Sequence, residues 1–154
     1  MFQYFCQKKL NMKKLMTYSF ALLIASTLIS SCSKYEEGPK LALSSKKARL
    51  VGDWKLTKQV ENDVEENLEN YVLNLTISED NSIKLEAIYT VLGVPFTTTK
   101  EGTWDFNSDK TQIQVTETGN SSSNSYIIVK LATKELKLKE VDGSDITVST
   151  YEPR

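Results

Sequence analysis

From Leu50 to the last residue, apolar side chains recur at every second position in short runs, each cut off by polar turn residues. A period of two puts alternate side chains on opposite faces of an extended strand, so each run has one face suited to burial. In the first run Leu50, Gly52, Trp54 and Leu56 share a face, with Asp53, Lys55 and Thr57 opposite. Tyr71 to Ser78 turns Tyr71, Leu73, Leu75 and Ile77 inward, and Ile83 to Val91 does so with Ile83, Leu85, Ala87, Tyr89 and Val91. Phe96 to Thr99 is expected at a rim, because the preceding Pro95 cannot donate to a ladder. Gly102, Trp104 and Phe106 share one face, as do Ile113 and Val115, while Tyr126 to Leu131 is apolar on both. Leu136 and Leu138 alternate with Lys137 and Lys139, and Ile146 to Tyr151 ends the pattern. The intervening Glu79 to Ser82, Asn107 to Lys110, Thr118 to Ser125 and Asp142 to Asp145 carry turn chemistry.

Eight or nine short strands at near-regular spacing leave no room for crossover helices. The fold class that follows is all-β, an antiparallel up-and-down meander. Such a meander stacks as two sheets or closes on itself, and closure removes exposed edges. A barrel of about eight strands is therefore expected over residues 41–154. Ser45 ahead of Lys46 to Leu50 predicts a short capped helical turn before it, with Leu41 and Leu43 available to pack. Val60 to Asn70, with Glu61, Asp63, Glu65, Glu66 and Glu69, is expected as an exposed acidic loop in which a helical turn would pair Val64 with Leu68.

The chain before residue 41 has a different character. Met12-Lys13-Lys14, an apolar stretch from Leu15 to Ile29, then Ser30-Ser31-Cys32 make a basic start, a greasy segment and small residues, the pattern of a secretory signal. The stretch is shorter than the roughly 20 residues that span a bilayer. Residues 1–11 read as an upstream extension, with Met12 as an alternative start. Ile29-Ser30-Ser31-Cys32 resembles the lipobox of bacterial lipoproteins, in which the cysteine is lipidated and becomes the first residue of the mature chain. The resemblance implies acyl chains on Cys32, and two or more such chains hold a protein stably at a membrane. Residues 32–40, including Tyr35-Glu36-Glu37-Gly38-Pro39, are expected as a tether, and they are similar in part to acidic export signals of Bacteroidetes surface lipoproteins. The expected location is the cell envelope, anchored through Cys32 and favouring the outer membrane, with its leaflet open.

Composition narrows the chemistry. The 154 residues carry no histidine and two cysteines, Cys6 and Cys32. The commonest general base, the commonest metal ligand and the thiol nucleophile are thus missing from residues 41–154. Lys8, Lys9, Lys13 and Lys14 take four of the 19 basic side chains into the leader, while all 20 acidic ones lie beyond it. An acidic domain with scattered lysines argues against nucleic acid as a partner. Adjacent carboxylates such as Glu65-Glu66 sit on loops and point apart, and Ser121 to Ser123 have no base beside them. Asp142-Gly143-Ser144-Asp145 is shorter than a calcium-liganding loop. No catalytic residue, metal site or cofactor is expected, and no enzyme activity.

The turn leading into Leu50-Val51-Gly52-Asp53-Trp54 resembles the opening strand of lipocalin-like proteins, where a glycine lies two residues before a tryptophan. Gly102-Thr103-Trp104 and the segments Tyr126 to Leu131 and Leu136 to Leu138 are similar to a lipocalin-like lipoprotein family of Bacteroidetes. The resemblance covers roughly residues 41–154 and implies a barrel, without the disulfide many secreted lipocalins have. Trp54, Tyr71, Tyr89, Trp104 and Phe106 are expected inside and are the candidate ligand-binding residues. Rings so placed either wall a pocket or plug the barrel, with Gly52 and Gly102 admitting close strand contacts. Leu92, Val94 and Phe96 are candidates for a rim portal or partner patch, the alternative being a hairpin folded against the N-terminal turn. The function expected is a membrane-anchored barrel binding a small apolar or amphipathic ligand. The alternative is a filled barrel acting as a non-catalytic interaction module that contacts an envelope protein or glycan.

Overall fold

In a computed structural model the chain divides into two units, residues 1–32 and 33–154. The structure describes Tyr35 and residues 44–154 of the second. The leader, Cys32, Leu41 and Leu43 lie outside the described residues.

A five-residue helix, α1 (Lys46–Leu50), opens the described segment, with the Ser45 side chain accepting from the Ala48 amide at 3.1 Å. Nine strands follow: β1 (Gly52–Glu61), β2 (Val64–Glu65), β3 (Tyr71–Ile77), β4 (Ser82–Val91), β5 (Val94–Phe106), β6 (Gln112–Glu117), β7 (Ser123–Ala132), β8 (Glu135–Asp142) and β9 (Asp145–Pro153). Apart from the two-residue β2, which pairs only with β1, the strands run up and down in chain order. β9 pairs antiparallel with β1 and closes an eight-stranded barrel. The all-β closed meander read from the alternation is the fold of the protein.

Two local expectations differ. Leu50 ends α1 rather than starting β1, and it is wholly buried. The acidic segment is a hairpin, not a helical turn: Asn62 and Asp63 both have positive φ, 49° and 65°, and return the chain to pair Glu61 with Val64. Asn and Asp tolerate that conformation, and two such residues match the twist of a two-residue hairpin loop. The Phe96–Thr99 and Glu101–Phe106 runs merge into the 13-residue β5, because Pro95 sits opposite Thr90 in the last pairs of the hairpin, where a missing donor costs little.

The register gives the barrel two unlike ends. At the base lie α1, the Ser78–Asn81 turn, the 107–111 loop and the β7–β8 turn; at the other end lie the 62–70 segment, the β4–β5 turn, the 118–122 loop and the β8–β9 turn. The base is solid. Leu50, Ile77, Ile113, Leu131 and Leu136 are almost fully buried there, and each such side chain stabilises the fold by about 2 kcal/mol. The Trp54 indole donates to the Leu50 carbonyl at 2.9 Å and the Trp104 indole to the Ser78 carbonyl at 3.2 Å, so both rings are held as well as buried. Tyr35, assigned by composition to a solvated tether, is one of these core residues; its hydroxyl donates to the Lys110 carbonyl at 2.8 Å.

Two bulges set which residues face inward. Between Leu56 and Lys58 the β1–β9 register slips, so after Trp54 and Leu56 the inward series continues with Gln59. Between Ile128 and Lys130 the β7–β8 register slips likewise. The inward series there runs Tyr126, Ile128, Leu131, which explains why Tyr126 to Leu131 is apolar on both faces.

Candidate functional site: a hollow above a solid base

Above the plugged base the barrel is hollow. A cavity of about 430 Å³ is walled by inward residues of every barrel strand and reaches Asn120 and Ser122 in the loop at the open end. Its lower wall is apolar, with Leu73 and Leu75 of β3, Ile83 and Leu85 of β4, Val115 of β6 and Leu138 of β8. Tyr71, Tyr126 and Tyr151 also line it, and towards the mouth stand Gln59, Lys100, Glu117, Asn124 and Glu140. The gradient follows from strand phase. Leu136 and Leu138 lead to Glu140 on one face of β8, as Ile113 and Val115 lead to Glu117 on β6.

The mouth is uneven because the strands differ in length. β6 pairs with β5 only over Gly102–Phe106, leaving Val94–Glu101 without a strand on that side. Lys100 and Glu117 face each other across this seam, their side chains 3.4 Å apart and half exposed. Below it the strands approach closely at Gly102, where a Cβ would stand 2.2 Å from the Thr116 carbonyl oxygen, so only glycine fits.

Burial shapes the tyrosines. It pushes the Tyr151 phenol up to about 12, with the neighbouring Ser149 side chain opposing and the phenols of Tyr126 and Tyr71 adding slightly. Burial also raises Tyr126, helped by the nearby Glu140 charge, with the Asn124 side chain opposing. Tyr71 is raised by burial alone. All three remain neutral hydrogen-bonding groups at physiological pH. Among the described residues no group of three or more His, Cys, Asp or Glu converges as a metal site.

The five aromatic candidates are dispersed by the structure. Tyr71 lines the cavity. Trp54 and Trp104, each 3% exposed, belong to the plug below it, with Phe106 edge-on to Trp104 at 5.4 Å between centroids. Tyr89 is not inside: it is 42% exposed and stacks on Phe96 at 5.6 Å. Its partner across the sheet is Tyr71, the first residue of β3, so beyond this pair β4 has no third strand to cover it. The rim candidates lie at the tip of that hairpin, Leu92 at 99% exposure with Val94 and Phe96 about half exposed. They do not fold against α1, which lies at the opposite end of the barrel.

The alternatives of a plugged and a hollow barrel are thus each realised, in different halves. Tyr126, Tyr151, Lys100, Glu117 and Glu140 were not among the candidates. Extending the phase of each run past its last leucine or valine places Glu117 and Glu140 inward, whereas Gln59 depends on a bulge. Glu101, Glu117 and Glu140 thus border the hollow, whereas the sequence reading weighed only adjacent carboxylates on loops such as Glu65-Glu66.

This is the architecture of a lipocalin-like barrel. Residues 50–138, more than half of the chain, match the family model described as a lipocalin-like domain, and the chain belongs to that family. No curated protein matches it. Solved structures similar to it include Japanin from Rhipicephalus appendiculatus bound to cholesterol, 14% identical with a TM-score of 0.47 over 71% of this chain and 79% of that one. Another is the odorant-binding protein from bovine nasal mucosa, 12% identical with a TM-score of 0.45 over 74% and 77% of the two chains.

Proposed function

We propose that this chain is an exported lipoprotein, anchored through Cys32 in the cell envelope, whose barrel binds a small apolar or amphipathic molecule without chemically changing it. The observation that carries the reading is the blind hollow of about 430 Å³, apolar below and polar at its open end. Concave apolar space with a few placed polar groups is the usual form of a small-molecule site.

The neutral dye N-phenyl-1-naphthylamine tests the hollow. Its emission is expected to rise on binding, and Val115→Trp, which fills the space from β6, is expected to abolish the rise while keeping a cooperative melt. No enhancement, and no thermal stabilisation by a panel of neutral lipids, would refute ligand binding. Anchoring predicts palmitate labelling and membrane fractionation that Cys32→Ser eliminates; an unlabelled wild-type chain refutes it. A second reading is favoured by the exposed Tyr89, Val91, Leu92, Val94 and Phe96 of the β4–β5 hairpin, an apolar surface suited to an envelope protein.

A further inference from the structure

The hollow has an electrostatic sense of its own. Lys100 is the cation of its lining, and that cation is engaged by Glu117 across the β5–β6 seam. Glu140 faces the same space on β8 and makes no ion pair with a lysine or arginine of the described residues. Tyr126 lines the space with it, and a tyrosine hydroxyl can donate to a carboxylate but cannot neutralise it. The surroundings reinforce the sign. Glu61, Asp63 and Glu66 of the β1–β3 connection and Asp142 and Asp145 of the β8–β9 turn stand at the mouth, while Lys58 there is paired with Glu65. The loop across the mouth, residues 118–122, carries no charged side chain. An entrance of one sign above low-dielectric walls concentrates ligands of the opposite sign.

From this arrangement we infer that the molecule held in the barrel is a cationic amphiphile, an amine carried on an apolar body, whose ammonium group pairs with Glu140 among the tyrosine hydroxyls. This deepens the ligand-binding reading and rests on it. The apolar body occupies the space between Leu73, Leu85, Val115 and Leu138, and the ammonium sits nearer the mouth, at Glu140. The faces of Tyr71 and Tyr126 suit a cation, and their hydroxyl oxygens accept hydrogen bonds from it. An anionic head at the same depth meets an uncompensated carboxylate, and a neutral head forgoes the charge pair.

Three probes of equal chain length separate these cases: decylamine, 1-decanol and decanoate, titrated calorimetrically into the full-length protein below their aggregation concentrations at neutral pH. Decylamine is expected to bind about tenfold more tightly than 1-decanol, as a charge-assisted contact implies, with decanoate weakest. Added salt is expected to narrow the gap, since the mouth is open to ions. Glu140→Gln is expected to bring decylamine binding down to the level of 1-decanol measured on the same variant, with its melt confirming the fold. Equal binding of amine and alcohol, or tighter binding of decanoate, overturns the inference while leaving the hollow as a ligand site. An amine preference that survives Glu140→Gln overturns the role of Glu140. If none of the three binds, the ligand-binding reading itself fails.

Discussion

Tyr151 closes the back of the hollow, and its hydroxyl links stability to pH. The side chain is 6% exposed and its phenol is raised from 10 to about 12, chiefly because burial penalises the charged form. The folded barrel thus holds this proton more tightly than the unfolded chain does. The neutral phenol's contribution is complete below about pH 10 and is lost as pH climbs towards 12. A displacement of this size is worth about 3 kcal/mol in all, of which about 2 kcal/mol is lost by pH 11.5. Tyr151→Phe removes the ionisable group and keeps the ring that packs against Leu136 and Leu56 across the closing strands. At pH 7 the variant is expected within about 1 kcal/mol of wild type, because the buried ring is kept and only one neutral hydroxyl is lost. Urea melts from pH 7 to 11.5, with tyrosinate absorbance recorded in parallel, provide the assay. The wild type should lose about 2 kcal/mol more than the variant over that range, with one fewer late-titrating phenol in the variant. Parallel losses, or a full complement of tyrosines ionising near pH 10, would refute the reasoning.

Gly102→Ala is expected to cost about 1–3 kcal/mol or more in urea melts, since its Cβ would press on the Thr116 carbonyl and neither strand can yield without breaking the ladder; an unchanged midpoint would contradict the close approach. Leu92→Ser, at the hairpin tip, should leave stability within about 0.5 kcal/mol of wild type, and a thermal shift larger than this would mean that the tip is covered in the folded protein.

The alternation from Trp54 to Tyr151 was sufficient to read an all-β closed meander, because a strand with one apolar face must bury it and a sheet of this length hides its edges by joining them. The short capped helix was equally local, written in Ser45 and the residues after it. The site was legible only in part. Periodicity tells which face a residue takes, and Tyr71 was placed correctly on that ground; it does not tell how far along the barrel axis the residue stands. That coordinate depends on strand stagger, on the bulges after Leu56 and Ile128, and on the length of β5 beyond its neighbours. Hence Trp54, Trp104 and Phe106 share the inward face with the cavity wall yet fill the base, and Tyr89 shares it yet stands in water. The local sequence determined inside from outside, strand by strand. Only the closed tertiary structure decided which inward residues meet in the hollow, because shear sets each strand's height and brings Glu140, Glu117 and Tyr126 around one cavity from three different strands.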